Sequence, residues 1–134
     1  MEWHPFQCFQ YPIDNYGTMP DAQMIVVAEN GGHNGNLGYT YLYRDTDGSE
    51  EIPDSDVYTD KRPYVRALVV LNYDTLSTFP EAYQMRTLTH EIGHVLGLAH
   101  PEACKDTAVM RTTGDSLVSF DIEGHDVYNL NQKY

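Results

Sequence analysis

The eleven residues His90-Glu91-Ile92-Gly93-His94-Val95-Leu96-Gly97-Leu98-Ala99-His100 carry three imidazoles, one carboxylate and two glycines. His90 and His94 stand four apart. In a helix, four steps of about 100° return to nearly the same face, one turn further on. Two imidazoles so placed each offer a nitrogen to one zinc ion at about 2.0–2.1 Å. Glu91 projects toward the same edge and can reach a metal-held water without being a ligand itself. A helix continued past Gly97 carries His100 too far along the axis. Glycine enters the left-handed region without steric cost, so Gly97 permits a sharp turn that presents His100 as a third ligand. Three protein ligands leave a fourth position for solvent, as in a catalytic rather than a structural zinc site. The bland reading is two exposed histidines beside a charged neighbour. Five fixed residues at this spacing arise by chance in about one chain in 10⁵ of this length, which favours the metal site.

Working outward, the helix that holds the pair is expected over about residues 79–96. Thr78 and Glu81 stand in capping-box spacing, and Pro80 falls in the first turn, where a missing N–H is harmless. Met85, Leu88, Ile92 and Leu96 recur at helical intervals and are its expected core face. Two short apolar runs, Met24–Ala28 and Ala67–Leu71, are expected as buried strands. Tyr39–Arg44 alternates, with Tyr39, Tyr41 and Tyr43 on one face and Thr40, Leu42 and Arg44 on the other. It reads as an edge strand covered on one side. Between these lie the Gly-rich stretch 29–38 and an acidic connection, 45–60. A loop from Leu98 to about Val118 leads to a last helix at about 120–130, with Ile122, Val127 and Leu130 apolar. The fold class is α+β.

The length fits one domain, and 41% apolar residues suffice for a core. The net charge of −12, from 20 acidic and 8 basic residues, repels phosphate backbones and argues against nucleic-acid binding. No window approaches the length of a membrane span. Met1-Glu2-Trp3-His4-Pro5 has neither a basic start nor an apolar run, so no signal peptide is expected in this chain.

The quoted segment matches HExxHxxGxxH at every fixed position and resembles the metzincin zinc peptidases. The tail Phe120-Asp121-Ile122-Glu123-Gly124, His100-Pro101 and the Gly-rich stretch before Tyr39 are similar to the matrixin branch, including bacterial matrixin-like enzymes. The resemblance implies a zinc-dependent metalloendopeptidase with His90, His94 and His100 as metal ligands and Glu91 as general base. It implies Met110 in a tight turn beneath the zinc. It also implies a peptide or protein substrate, paired in extended form along Tyr39, Thr40, Tyr41, Leu42 and Tyr43; packing of the three tyrosines on the core is compatible with that role. The implied architecture is a reduced metzincin-like fold. It has a small, twisted, mostly parallel sheet with an antiparallel edge strand, an upper subdomain at 1–97 and a lower one at 98–134. An extracellular location is implied as well. The chain departs from the family in three ways. Only 23 residues precede Met24. Thr112 stands where several metzincins have tyrosine. Arg111-Thr112-Thr113-Gly114 stands where matrixins often have proline. A catalytically weak or inactive metal-binding module on a truncated fold is therefore the alternative, and action on a non-peptide amide is a third reading.

Weaker signals remain. Asp45-x-Asp47-Gly48, with Glu50 and Glu51, resembles the opening of a calcium loop but lacks full EF-hand spacing; a solvated acidic loop is favoured over calcium. His33 has no obvious partners for a second zinc. His4 and His125 read as surface residues. Cys8 and Cys104 allow one disulfide or two free thiols.

Overall fold

A computed structural model describes residues 23–30, 36–45, 50–52, 64–101, 106–112 and 116–133. The elements are β1 (Gln23–Glu29), β2 (Gly38–Tyr43), β3 (Arg66–Asn72), α1 (Tyr73–Leu76), α2 (Glu81–Val95) and α3 (Gly124–Lys133). The described fold is α+β. The three strands form one sheet in the order β1-β3-β2. β1 runs parallel to β3, and β2 runs antiparallel to it. β2 is thus the antiparallel edge strand, but one parallel and one antiparallel pair make the sheet evenly mixed rather than mostly parallel.

The register sorts the side chains. Leu42 opposes Ala67 and Thr40 opposes Val69, so these four share a face. α2 packs across that face, over β2 and β3. Leu42, Ala67, Ile52 and Tyr64 form a buried cluster against Val95 of the helix. The Tyr64 hydroxyl donates to the Val95 carbonyl. The tyrosines of β2 lie on the opposite face, half-buried. β1 was expected as a buried strand, yet Met24 and Val26 are 48% and 43% exposed. The helix reaches β2 and β3 and leaves this outer strand largely uncovered.

α2 starts and stops close to expectation, by partly different means. Pro80 is the N-cap and no side chain caps the helix. The capping box does not form, because the Thr78 hydroxyl turns back to the Thr75 carbonyl at 2.7 Å. The C-terminus is a Schellman closure. Leu98 N–H donates to Gly93 O, and Gly97 N–H to His94 O, both at 2.9 Å. Gly97 has φ 87°, the left-handed region such a closure needs.

Of the expected core face of α2, Leu88 and Ile92 are half-buried and the two ends point outward. Met85 and Leu96 are 56% and 38% exposed, while Arg86, Thr87, His90, Glu91 and Gly93 are buried. Polar groups tolerate this because they have hydrogen-bond partners inside. The final helix begins at Gly124, later than residue 120. Ile122 and Val127 are exposed, and only Leu130 packs inward, against Leu98, Val109 and Met110. His125, expected at the surface, is fully buried. The one-turn α1 was not anticipated. No described helix is long and apolar enough to cross a membrane.

Candidate metal centre

His90 and His94 project from one face of α2, and the Gly97 turn returns His100 to them. The three Nε2 atoms converge. His90 to His100 is 3.0 Å, and His94 lies 3.2 Å from each of the other two. Nδ1 of His90 donates to the Val109 carbonyl at 2.9 Å, and Nδ1 of His94 donates to the Leu98 carbonyl at 2.7 Å. A carbonyl only accepts, so both Nδ1 atoms carry the proton and both Nε2 atoms present lone pairs. Lone pairs facing one another at such distances repel unless a cation lies between them. A point equidistant from three nitrogens about 3.1 Å apart is about 1.8 Å from each, just inside a zinc–nitrogen bond length of about 2.0–2.1 Å. The three histidines form a group able to hold a metal ion.

Burial sets their protonation. Desolvation, reinforced by the neighbouring imidazoles, holds His90 far below its ordinary value, and burial followed by His100 pushes His94 down to about 4. Both are neutral at pH 7, the form that binds metal.

Glu91 is 6% exposed. Its Oε2 accepts the Thr40 hydroxyl at 2.6 Å. Burial pushes its carboxyl up to about 7, opposed by the Thr40 hydrogen bond and by the Arg86 charge. A carboxylate poised there suits proton exchange near neutrality. Gly38 on β2 leaves the room this side chain occupies: a Cβ at Gly38 would lie 2.9 Å from Glu91 Cγ and 3.1 Å from Thr87 Cγ2.

Met110 is fully buried beneath the helix. A Cβ on Gly93 would stand 2.1 Å from its sulfur. The expected turn methionine therefore sits against the glycine between the two helical histidines. Arg86 and Asp126 fix this segment, and sequence reading missed both. The buried Arg86 guanidinium donates to the carbonyls of Val109, at 3.3 Å, and of Arg111. Asp126 accepts from the backbone N–H of Val109 at 3.0 Å and of Glu123 at 2.9 Å. Val109 thus links α3, Arg86 and the His90 imidazole. His125 Nδ1 lies 3.5 Å from Asp106 Oδ2. Burial lowers its pKa while Asp126 and Asp106 oppose the shift.

Of the expected substrate strand, Thr40 and Leu42 lie on the helix side. Tyr39, Tyr41 and Tyr43 lie on the other, with the Tyr39 and Tyr41 rings 4.8 Å apart. Alternation directs the backbone groups of Gly38, Thr40 and Leu42 away from β3. The Leu42 carbonyl accepts from Ile52 N–H at 2.8 Å. Among the described residues no strand covers the Gly38–Thr40 part of that edge. In the acidic segment, Asp45 Oδ1 accepts from Glu50 N–H at 3.1 Å, and Arg44 pairs with Glu50 at 3.6 Å; Asp47 and Gly48 lie outside the described residues, as do His4, His33, Cys8 and Cys104. Comparison of the chain with protein-family models, curated proteins and solved structures finds no match.

Proposed function

We propose that this chain is a zinc-dependent endopeptidase of the metzincin type. The observation that carries the reading is the convergence of three Nε2 atoms within 3.2 Å, with two of the opposite Nδ1 protons committed to carbonyls. An all-imidazole donor set suits zinc among the common divalent ions. A bound zinc ion makes water a nucleophile near neutral pH and polarises a carbonyl oxygen. The residues of this chain supply the rest. His90, His94 and His100 hold the ion. Glu91 accepts the proton of the attacking water and passes it to the leaving amine. The outward N–H and C=O groups of Gly38 and Thr40 pair with an extended substrate backbone and lay it beside Glu91. Met110 forms an apolar floor beneath the histidines.

The test joins metal analysis with digestion of quenched casein. One zinc per chain and cleavage abolished by chelator and restored by zinc are expected. Glu91→Ala keeps the zinc and loses turnover. Undiminished cleavage by Glu91→Ala contradicts the assigned role. A metal-binding interaction module with little turnover is the second reading, favoured by the exposed apolar residues Met24 and Val26 on β1. Stoichiometric zinc without any chelator-sensitive cleavage would support it.

A further inference from the structure

Thr40 is the one residue of β2 that faces the candidate site with its side chain and the open sheet edge with its backbone. Its hydroxyl lies 2.6 Å from Glu91 Oε2 and 3.1 Å from the Glu91 carbonyl oxygen. A hydroxyl has one proton to give, and the shorter contact, to the carboxylate, is the charge-assisted one. β2 is anchored at this point. Thr40 opposes Val69 in the antiparallel register, and the adjoining Leu42 is buried in the core. A Cβ at Gly38 would lie 2.9 Å from Glu91 Cγ and 3.1 Å from Oε1, so only a glycine on β2 leaves the room that this carboxylate occupies.

We propose that Thr40 is a positioning residue for the general base. Its hydroxyl ties down Oε2 and reserves Oε1 for the proton of the attacking water. A free glutamate side chain samples several rotamers, and fixing one costs entropy at every turnover unless the protein has already fixed it. The same strand position would pair with the substrate backbone, so one β-branched residue sets the base and the peptide in a common register. This role rests on the peptidase reading above.

The test uses two substitutions. Thr40→Val keeps the shape and removes the hydroxyl; Thr40→Ser keeps the hydroxyl and removes the methyl. With a fluorogenic peptide, Thr40→Val is expected to lower kcat about 10- to 100-fold, the loss that follows from one charge-assisted hydrogen bond. KM and zinc content stay near wild type, and Thr40→Ser recovers most of kcat. Wild-type kcat in Thr40→Val overturns the proposal. Equal losses in both variants also overturn it, since a loss that the serine hydroxyl does not recover belongs to any change of side chain at this position and not to the hydroxyl.

A second readout needs no turnover. In the metal-free protein at pH 8, Thr40→Val should lower the melting temperature by several degrees when Glu91 is present and much less in a Glu91→Ala background. Equal shifts in both backgrounds mean that hydroxyl and carboxylate are uncoupled, which overturns the proposal. If the wild-type protein cleaves nothing, the peptidase reading fails and the catalytic consequence fails with it. The melting cycle then still reports separately whether Thr40 holds Glu91.

Discussion

Glu91 is a carboxyl group placed where charge is costly. Its folded value of about 7 stands above the ordinary 4.5. A raised carboxyl contributes stability below pH 4.5 that is lost as the pH climbs through 7, because the folded state holds the proton more tightly than the unfolded chain. Above pH 7 the metal-free protein therefore bears a buried charge. Glu91→Gln removes that charge and keeps an oxygen to accept the Thr40 hydroxyl. At pH 8 the metal-free variant should be more stable than wild type by about 2–3 kcal/mol in urea unfolding, with the difference gone by pH 4.5. Equal stability at pH 8 would mean that Glu91 ionises as it does in water. Gly93 meets a steric limit instead. A methyl there overlaps the Met110 sulfur, 2.1 Å away in a fully buried position. Gly93→Ala should cost about 1–3 kcal/mol as overpacking, despite the better helix propensity of alanine. Adding Met110→Ala should return part of that loss, giving clear non-additivity in the double-mutant cycle. Strict additivity would show that the two residues do not touch. The three histidines, Glu91 and Gly97 were legible from spacing, and Met110 only through the family resemblance. Thr40 as a partner of Glu91 was not, because the two are 51 residues apart and only the β2–β3 register brings them together.

α2 departs from the usual amphipathic rule, with Leu88 and Ile92 only half-buried. Met85 and Leu96 were expected to point inward by their periodicity, yet the face carrying Arg86, His90 and Glu91 is the buried one. Hydrophobic periodicity assumes that the buried face is apolar. A helix whose buried face carries hydrogen-bonded polar residues breaks that assumption, and a search for the polar stripe would have found it. His125 and Asp126 escaped notice for the same reason. The C-terminal helix holds the Met110 segment through the Asp126 carboxylate rather than through the apolar positions Ile122 and Val127. Arg86 does similar work from the other side. It is a buried cation, and burial lowers its pKa while the Glu91 charge opposes that shift. Arg86→Met should leave the Val109 and Arg111 carbonyls without this donor and loosen the orientation of His90. Competition with a chromophoric chelator should show zinc affinity weakened up to about 10-fold, the low end of the cost of disturbing an outer hydrogen bond, since Arg86 reaches His90 only through the Val109 carbonyl. Wild-type affinity in a folded Arg86→Met protein would remove Arg86 from the metal's support.

At the scale of the whole molecule, the sheet, the turn at Gly97 and the segment around Met110 meet at one point. β2 and β3 give α2 a platform. The Schellman closure reverses the chain, and α3 fixes the segment below. The α+β class and the edge position of β2 were readable because strand runs and their alternation are local. The exposure of β1 was not, since it depends on which strands α2 crosses. All of this brings three imidazole nitrogens together, the group that we propose holds one zinc ion with a coordination position left for solvent. X-ray absorption at the zinc edge, on protein loaded with one equivalent, tests that proposal most directly. The prediction is three imidazole nitrogens and one further oxygen, all at about 2.0–2.1 Å. A sulfur ligand at about 2.3 Å, or fewer than three imidazoles, would contradict it.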